Sequence, residues 1–126
     1  MSGLDRAFVS AGAVAGLAGV ALAAAAAHGA GGAGLETPAQ FCLVHAPALV
    51  ALGAAIRTGL VLRWLGRAAG LVLVLGIVLF CGDLTLRALT GLAPLRLAAP
   101  IGGTLLMAGW ALLAIAAVVP DRRPPP

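Results

Sequence analysis

The chain has 126 residues, of which 62% are hydrophobic and 10% charged, and its mean hydropathy is +1.11. A soluble domain carries about 25% charged residues; eight basic and four acidic side chains cannot make a polar surface for a chain of this length, so a soluble globular domain is excluded. The net charge of +4 does not argue for nucleic acid, because every basic residue is arginine, most arginines flank apolar runs, and there is no lysine patch and no tyrosine.

Four apolar segments follow one another, each near the roughly 20 residues needed to cross a bilayer. They predict an all-α, polytopic membrane protein, one domain over 1–126, with helices at about 8–27, 38–62, 68–89 and 98–119. The first segment imitates a secretory signal peptide, with Arg6, an apolar run and small residues before His28. It is longer than the usual apolar stretch of about 7–15 residues and is read as a span. Gly12 and Gly16 stand four apart on it, with Gly19 and Ala23 continuing a small face, a spacing that lets helices pack closely in lipid, within one chain or between chains.

The second segment opens at Thr37-Pro38, a side-chain cap followed by proline in the first turn. The third carries Asp83 and Arg87, four apart with the acid first, which is the favourable order on one helix face. The fourth opens near Gly102–Gly103, glycines that suit close helix packing, and Pro120 ends it; 120–126 is predicted to be a disordered tail. Arg6, Arg57, Arg63, Arg67, Arg122 and Arg123 fall on one side of four spans and only Arg87 and Arg96 towards the other. The positive-inside rule then predicts both termini in the cytoplasm.

Polar residues gather at one depth. His45 lies about seven residues inside the second span, Asp83 about seven before the end of the third and Thr104 about six into the fourth, which at 1.5 Å per residue is roughly 10 Å below the outer surface. His28 caps the first span at the same end. His28, His45, Asp83, Arg87 and Thr104 are therefore the candidate layer. Four readings of it compete. The leading one is structural, hydrogen bonds between helices holding the bundle in register. The second is a proton relay or small-solute site, since intramembrane ionisable groups mark such pathways. The third is a metal site, Cys42 and His45 being three apart with Cys81 and His28 as further ligands. The fourth is contact with a lipid or quinone. No catalytic constellation, phosphate loop or cofactor motif is present, so no catalytic residue, resident metal or cofactor is expected.

Four motifs, taken together, resemble a known family: Ala27-His28-Gly29; Phe41-x-x-x-His45-Ala46 followed by Ala48-Leu49; Leu79-Phe80-Cys81-Gly82-Asp83-Leu84 running to Ala88-Leu89-Thr90-Gly91; and Pro100-Ile101-Gly102-Gly103 with Gly109-Trp110. In this order and spacing they resemble the small bacterial membrane proteins grouped as domain of unknown function 423, relatives of transmembrane protein 256. The resemblance implies a four-helix inner-membrane protein without a settled activity, with His28, His45 and Gly102–Gly103 at recurrent positions. The chain departs from the family at Phe41 (commonly Tyr), Pro47 (commonly Leu), and Cys81 and Asp83 (often Ser), so a mechanism built on Asp83 would extend only to relatives that share it. The expected function is a non-enzymatic structural or accessory subunit of the plasma membrane. Its expected partners are lipid and either a larger membrane complex or further copies of itself, not nucleic acid. The alternative is a small-solute or proton-coupled transporter using His45 and Asp83.

Overall fold

A computed structural model describes residues 2–29 and 32–121. They form α1 (Gly3–Ala27), a short 3-10 turn (Gly32–Leu35), α2 (Glu36–Thr58), α3 (Arg63–Thr90) and α4 (Ala98–Val118). All four helices are long and apolar enough to cross a membrane. Among the described residues there is no strand. The end bearing the α1–α2 and α3–α4 connections is called distal below, and the opposite end proximal.

The helix ends differ from the sequence expectation for identifiable reasons. α1 begins at Gly3 rather than near residue 8, because Ser2 and Asp5 form a capping box. The Asp5 N–H donates to Ser2 Oγ (3.2 Å) and the Ser2 N–H to Asp5 Oδ2 (3.3 Å), satisfying two first-turn donors that helix geometry leaves free. α2 begins at Glu36, and Thr37 is not its cap; the 3-10 turn feeds directly into it and buries Leu35 completely. Pro38 stays compatible because its missing N–H falls within the first turn. α2 stops at Thr58 instead of running to 62. Gly59 takes φ +76°, and the Leu60 N–H reaches back to the Ala55 carbonyl (3.0 Å), the pattern that closes a helix with a left-handed glycine. The released chain turns within 59–62 and α3 starts at Arg63, five residues ahead of expectation, with the Leu62 N–H donating to the Ala116 carbonyl of α4 (2.8 Å). Most of the expected disordered tail, 122–126 with Arg122 and Arg123, lies outside the described residues.

The helices pair as two hairpins. α1 runs against α2, α4 runs against α3, and α2 packs on α3; among the described residues no Cα of α4 comes within 8 Å of one in α1 or α2. The outer helices, α1 and α4, turn Val14, Leu17, Val20, Met107 and Val118 outward, which suits contact with hydrocarbon.

Glycines set the spacing inside each hairpin. A Cβ on Gly12 would stand 2.6 Å from the Ala46 carbonyl oxygen, and one on Gly19 would stand 2.7 Å from the Leu43 side chain. On α4, a Cβ on Gly102 would meet the Phe80 backbone nitrogen at 2.5 Å, and one on Gly109 the Leu73 side chain at 2.6 Å. The other two glycines singled out from sequence behave differently. At Gly16 the nearest atom is Ala46 Cβ at 3.5 Å, and at Gly103 it is the Phe80 ring at 3.7 Å, both ordinary contact distances.

α1 is joined to α3 at the proximal end by two features. Phe8, fully buried, lies against Gly70, where a Cβ would collide with its ring. Beside it the Arg67 guanidinium grips Asp5, Nε donating to Oδ1 (3.1 Å) and Nη2 to Oδ2 (3.3 Å) and to Ser2 Oγ (2.8 Å). Asp5 is 4% exposed, so the pair fixes the entry of the chain as well as neutralising its charge.

Two outcomes follow for unfolding titrations in mixed micelles. Gly12→Ala and Gly102→Ala each destabilise by about 1–3 kcal/mol, the cost of overpacking a tight contact, whereas Gly16→Ala and Gly103→Ala stay within about 0.5 kcal/mol of the parent. Arg67→Ala costs about 3 kcal/mol by leaving a buried carboxylate unpaired, and adding Asp5→Ala recovers a large part of that loss.

Candidate functional site

Because α4 keeps its backbone away from α2, a groove opens between them, floored by α3. Its volume is about 820 Å³, and its lining includes Phe41, His45, Phe80, Gly103, Thr104 and Trp110. His45, 4% exposed, spans the gap. Its Nδ1 lies 2.7 Å from the Phe41 carbonyl one turn back, and the Trp110 indole N–H donates to its Nε2 (3.1 Å). A carbonyl only accepts and an indole N–H only donates; Nδ1 therefore carries the proton and Nε2 is the acceptor. Phe80 lies against Phe41 (centroids 4.5 Å apart), Phe41 stacks on His45 (5.9 Å) and His45 meets Trp110 (5.9 Å). A continuous row of rings thus crosses three helices.

Asp83 does not join this row. It is buried, and its Oδ2 receives the Arg87 guanidinium at 2.8 Å. Arg87 in turn donates to the Arg96 carbonyl (3.1 Å), tying the end of α3 to the α3–α4 connection. Asp83 Oδ1 is buried without a hydrogen-bond partner. Thr104 does line the groove, with its hydroxyl donating to the Pro100 carbonyl of its own helix (2.9 Å). His28 closes α1 as an exposed C-terminal cap, its N–H donating to Ala24 O (3.1 Å). Of the five residues expected in one layer, the structure brings His45 and Thr104 to one groove, places the Asp83–Arg87 pair apart from it and leaves His28 at the rim. Among the described residues no hydrogen bond joins these three sets. Counting along a helix does not tell which way each residue faces.

A second groove, about 690 Å³, lies on the opposite side between α1 and α3 with α2 as its floor, and it is almost wholly apolar. Cys42 and Cys81 line it as free, buried thiols. His45 opens on the other groove, which separates it from Cys42 and removes the basis of the metal reading; among the described residues no group of three His, Cys, Asp or Glu side chains converges on a point. Sequence reasoning passed over two participants. Trp110 entered only as part of the fourth motif, although an indole N–H within an apolar span needs an acceptor and His45 was an available one. Asp5 was passed over, although Ser2-x-x-Asp5 ahead of an apolar run is a recognisable start signal.

The sequence pattern of the family described as "Protein of unknown function (DUF423)" matches residues 22–103, a stretch containing both histidines and most of the groove. The chain belongs to this family. It is 36% identical over 81 residues to the UPF0382 membrane protein SH2409 of Staphylococcus haemolyticus, covering 64% of this chain and 63% of that protein. It is 33% identical over 91 residues to the UPF0382 inner membrane protein YgdD of Escherichia coli K12, covering 71% and 66% respectively, and equally similar to YgdD of Shigella flexneri. The matched region thus spans a little under two-thirds of these relatives' length. No solved structure matches. With four membrane-crossing helices and relatives of this kind, the chain is a multi-pass integral protein of the inner membrane.

Two substitutions probe how the polar groups are held. Trp110→Phe destabilises by about 0.6–1.7 kcal/mol, the range for an interhelical hydrogen bond in lipid, and a double-mutant cycle with His45→Ala returns a coupling of the same size. Arg87→Ala destabilises by about 3 kcal/mol and Asp83→Ala in the same chain relieves much of it; reversible unfolding in micelles reads both.

Proposed function

We propose that this chain is a non-enzymatic integral membrane protein that serves as a structural or accessory subunit, packing against membrane partners and lipid. The observation that carries the reading is the engagement of His45. Both of its ring nitrogens are already bonded inside the chain, one to Phe41 and the other to Trp110, so the side chain best suited to acid–base work is used to join α2 to α4. The outward faces of α1 and α4, which expose Val14, Leu17, Val20, Met107 and Val118, are the surfaces such a subunit offers. Native mass spectrometry after gentle extraction from the source membrane tests it. The expected result is a complex containing at least one other polypeptide. A protein that emerges alone, and that by itself moves a solute or turns over a substrate in liposomes, overturns it.

One observation favours a proton-coupled or small-solute transporter instead. Asp83 Oδ1 is buried and has no partner, and an incompletely paired intramembrane carboxylate is a common element of ion pathways. Under this second reading, flux in proteoliposomes falls at least tenfold in His45→Ala and in Asp83→Asn. Unchanged flux in both removes these residues from any transport mechanism.

A further inference from the structure

The distal groove between α2 and α4 has features that the accessory role does not need. The chain contains three Phe, two Trp and no Tyr, and three of these five aromatic residues, Phe41, Phe80 and Trp110, line this one groove together with His45. Hydrocarbon tails require no flat walls, so an aromatic concentration of this kind is not explained by lipid contact alone.

Gly103 adds a second, independent observation. Its neighbour Gly102 is needed for close approach of α4 to α3, with 2.5 Å between a hypothetical Cβ and the Phe80 nitrogen. Above Gly103 the nearest atom is the Phe80 ring at 3.7 Å. The missing side chain at 103 thus leaves space in the groove and does not serve the helix contact.

The polar groups bordering the space are few and uncharged in kind. Thr104 offers a hydroxyl, presently given to the Pro100 carbonyl, which as an ordinary helical carbonyl keeps a backbone partner if the hydroxyl turns away. Trp110 offers an indole N–H shared with His45. Among the described residues no Arg, Asp or Glu lines the groove; Arg87 is engaged by Asp83 and the Arg96 carbonyl. A phosphate headgroup would find no counter-charge here. The volume, about 820 Å³, falls in the range of roughly 300–1,000 Å³ usual for small-molecule sites. The mouth lies between two helices whose backbones stay apart and which are each long and apolar enough to cross a membrane.

We propose that this groove binds a membrane-dissolved, uncharged ring compound of the quinone class. The ring lies among Phe41, Phe80 and Trp110, and a carbonyl oxygen accepts the Thr104 hydroxyl. The inference goes beyond the accessory reading: it requires no second protein, and its failure leaves that reading intact.

The test uses the full chain in nanodiscs with Trp64→Phe, which leaves Trp110 as the single indole, titrated with a short-chain benzoquinone while Trp110 emission is followed. Quinones quench indoles on contact, so a site gives saturable quenching, whereas random encounter gives quenching that rises in proportion to quinone content. The expected result is saturation in the parent, a half-point at least tenfold higher in Gly103→Leu, whose side chain fills the space, and one about three- to tenfold higher in Thr104→Val, which removes one hydrogen bond. Circular dichroism confirms that each variant is folded; if Gly103→Leu does not fold, Thr104→Val decides. Proportional quenching with the same slope in all variants overturns the proposal. Saturable quenching unaffected by either substitution also overturns it, because the site then lies elsewhere.

Discussion

The closeness of backbones within each hairpin is the constraint on which the remaining architecture depends. In lipid there is little hydrophobic gain from helix association, so packing must come from van der Waals contact at short range. Gly12 and Gly19 on α1, and Gly102 and Gly109 on α4, are seven residues apart in each pair, and a side chain at any of the four would collide with the facing helix. A seven-residue repeat keeps one seam turned towards its partner over two turns. This chain has used that device twice, at both outer helices. The middle contact, α2 on α3, relies on larger side chains: Leu49, Leu52, Ile56 and Leu73 are essentially fully buried.

Bringing the outer helices so close to their own partners leaves them far from each other. Two grooves result, one on each side of the α2–α3 centre, and they differ in chemistry. The α1–α3 side is apolar with two thiols in its lining, whereas the α2–α4 side holds rings, a histidine and a hydroxyl. Polar residues expected at one depth were consequently sorted to different places, and the Asp83–Arg87 pair was left to secure the connection into α4.

The four spans were legible because hydropathy reports directly on the solvent a segment must face. Helix ends were less so. Asp5 in place of the more usual Glu obscured the capping box, and Gly59 is one of eighteen glycines, so nothing local distinguished it as the one at φ +76°. The small-residue face of α1 was visible, but spacing of four suggested Gly12 with Gly16, while the backbone approach chose Gly12 with Gly19. Depth follows from counting residues; azimuth depends on the partner helix, and a single sequence does not carry it. His45 could be singled out for that reason, and Trp110 as its donor could not.

The hairpin arrangement also bears on how the chain enters the membrane. Within each hairpin the chain leaves and returns on one side, and the connection at the turn is short: 28–35 before α2 and 91–97 before α4. These connections contain one histidine and one arginine between them, so the turns themselves carry little formal charge. Each pair can complete its glycine contacts as soon as its own two helices have emerged, before the other pair exists. Assembly then reduces to one lateral docking event, α2 onto α3, with the Asp5–Arg67 bond as the latch that closes only when both halves have arrived.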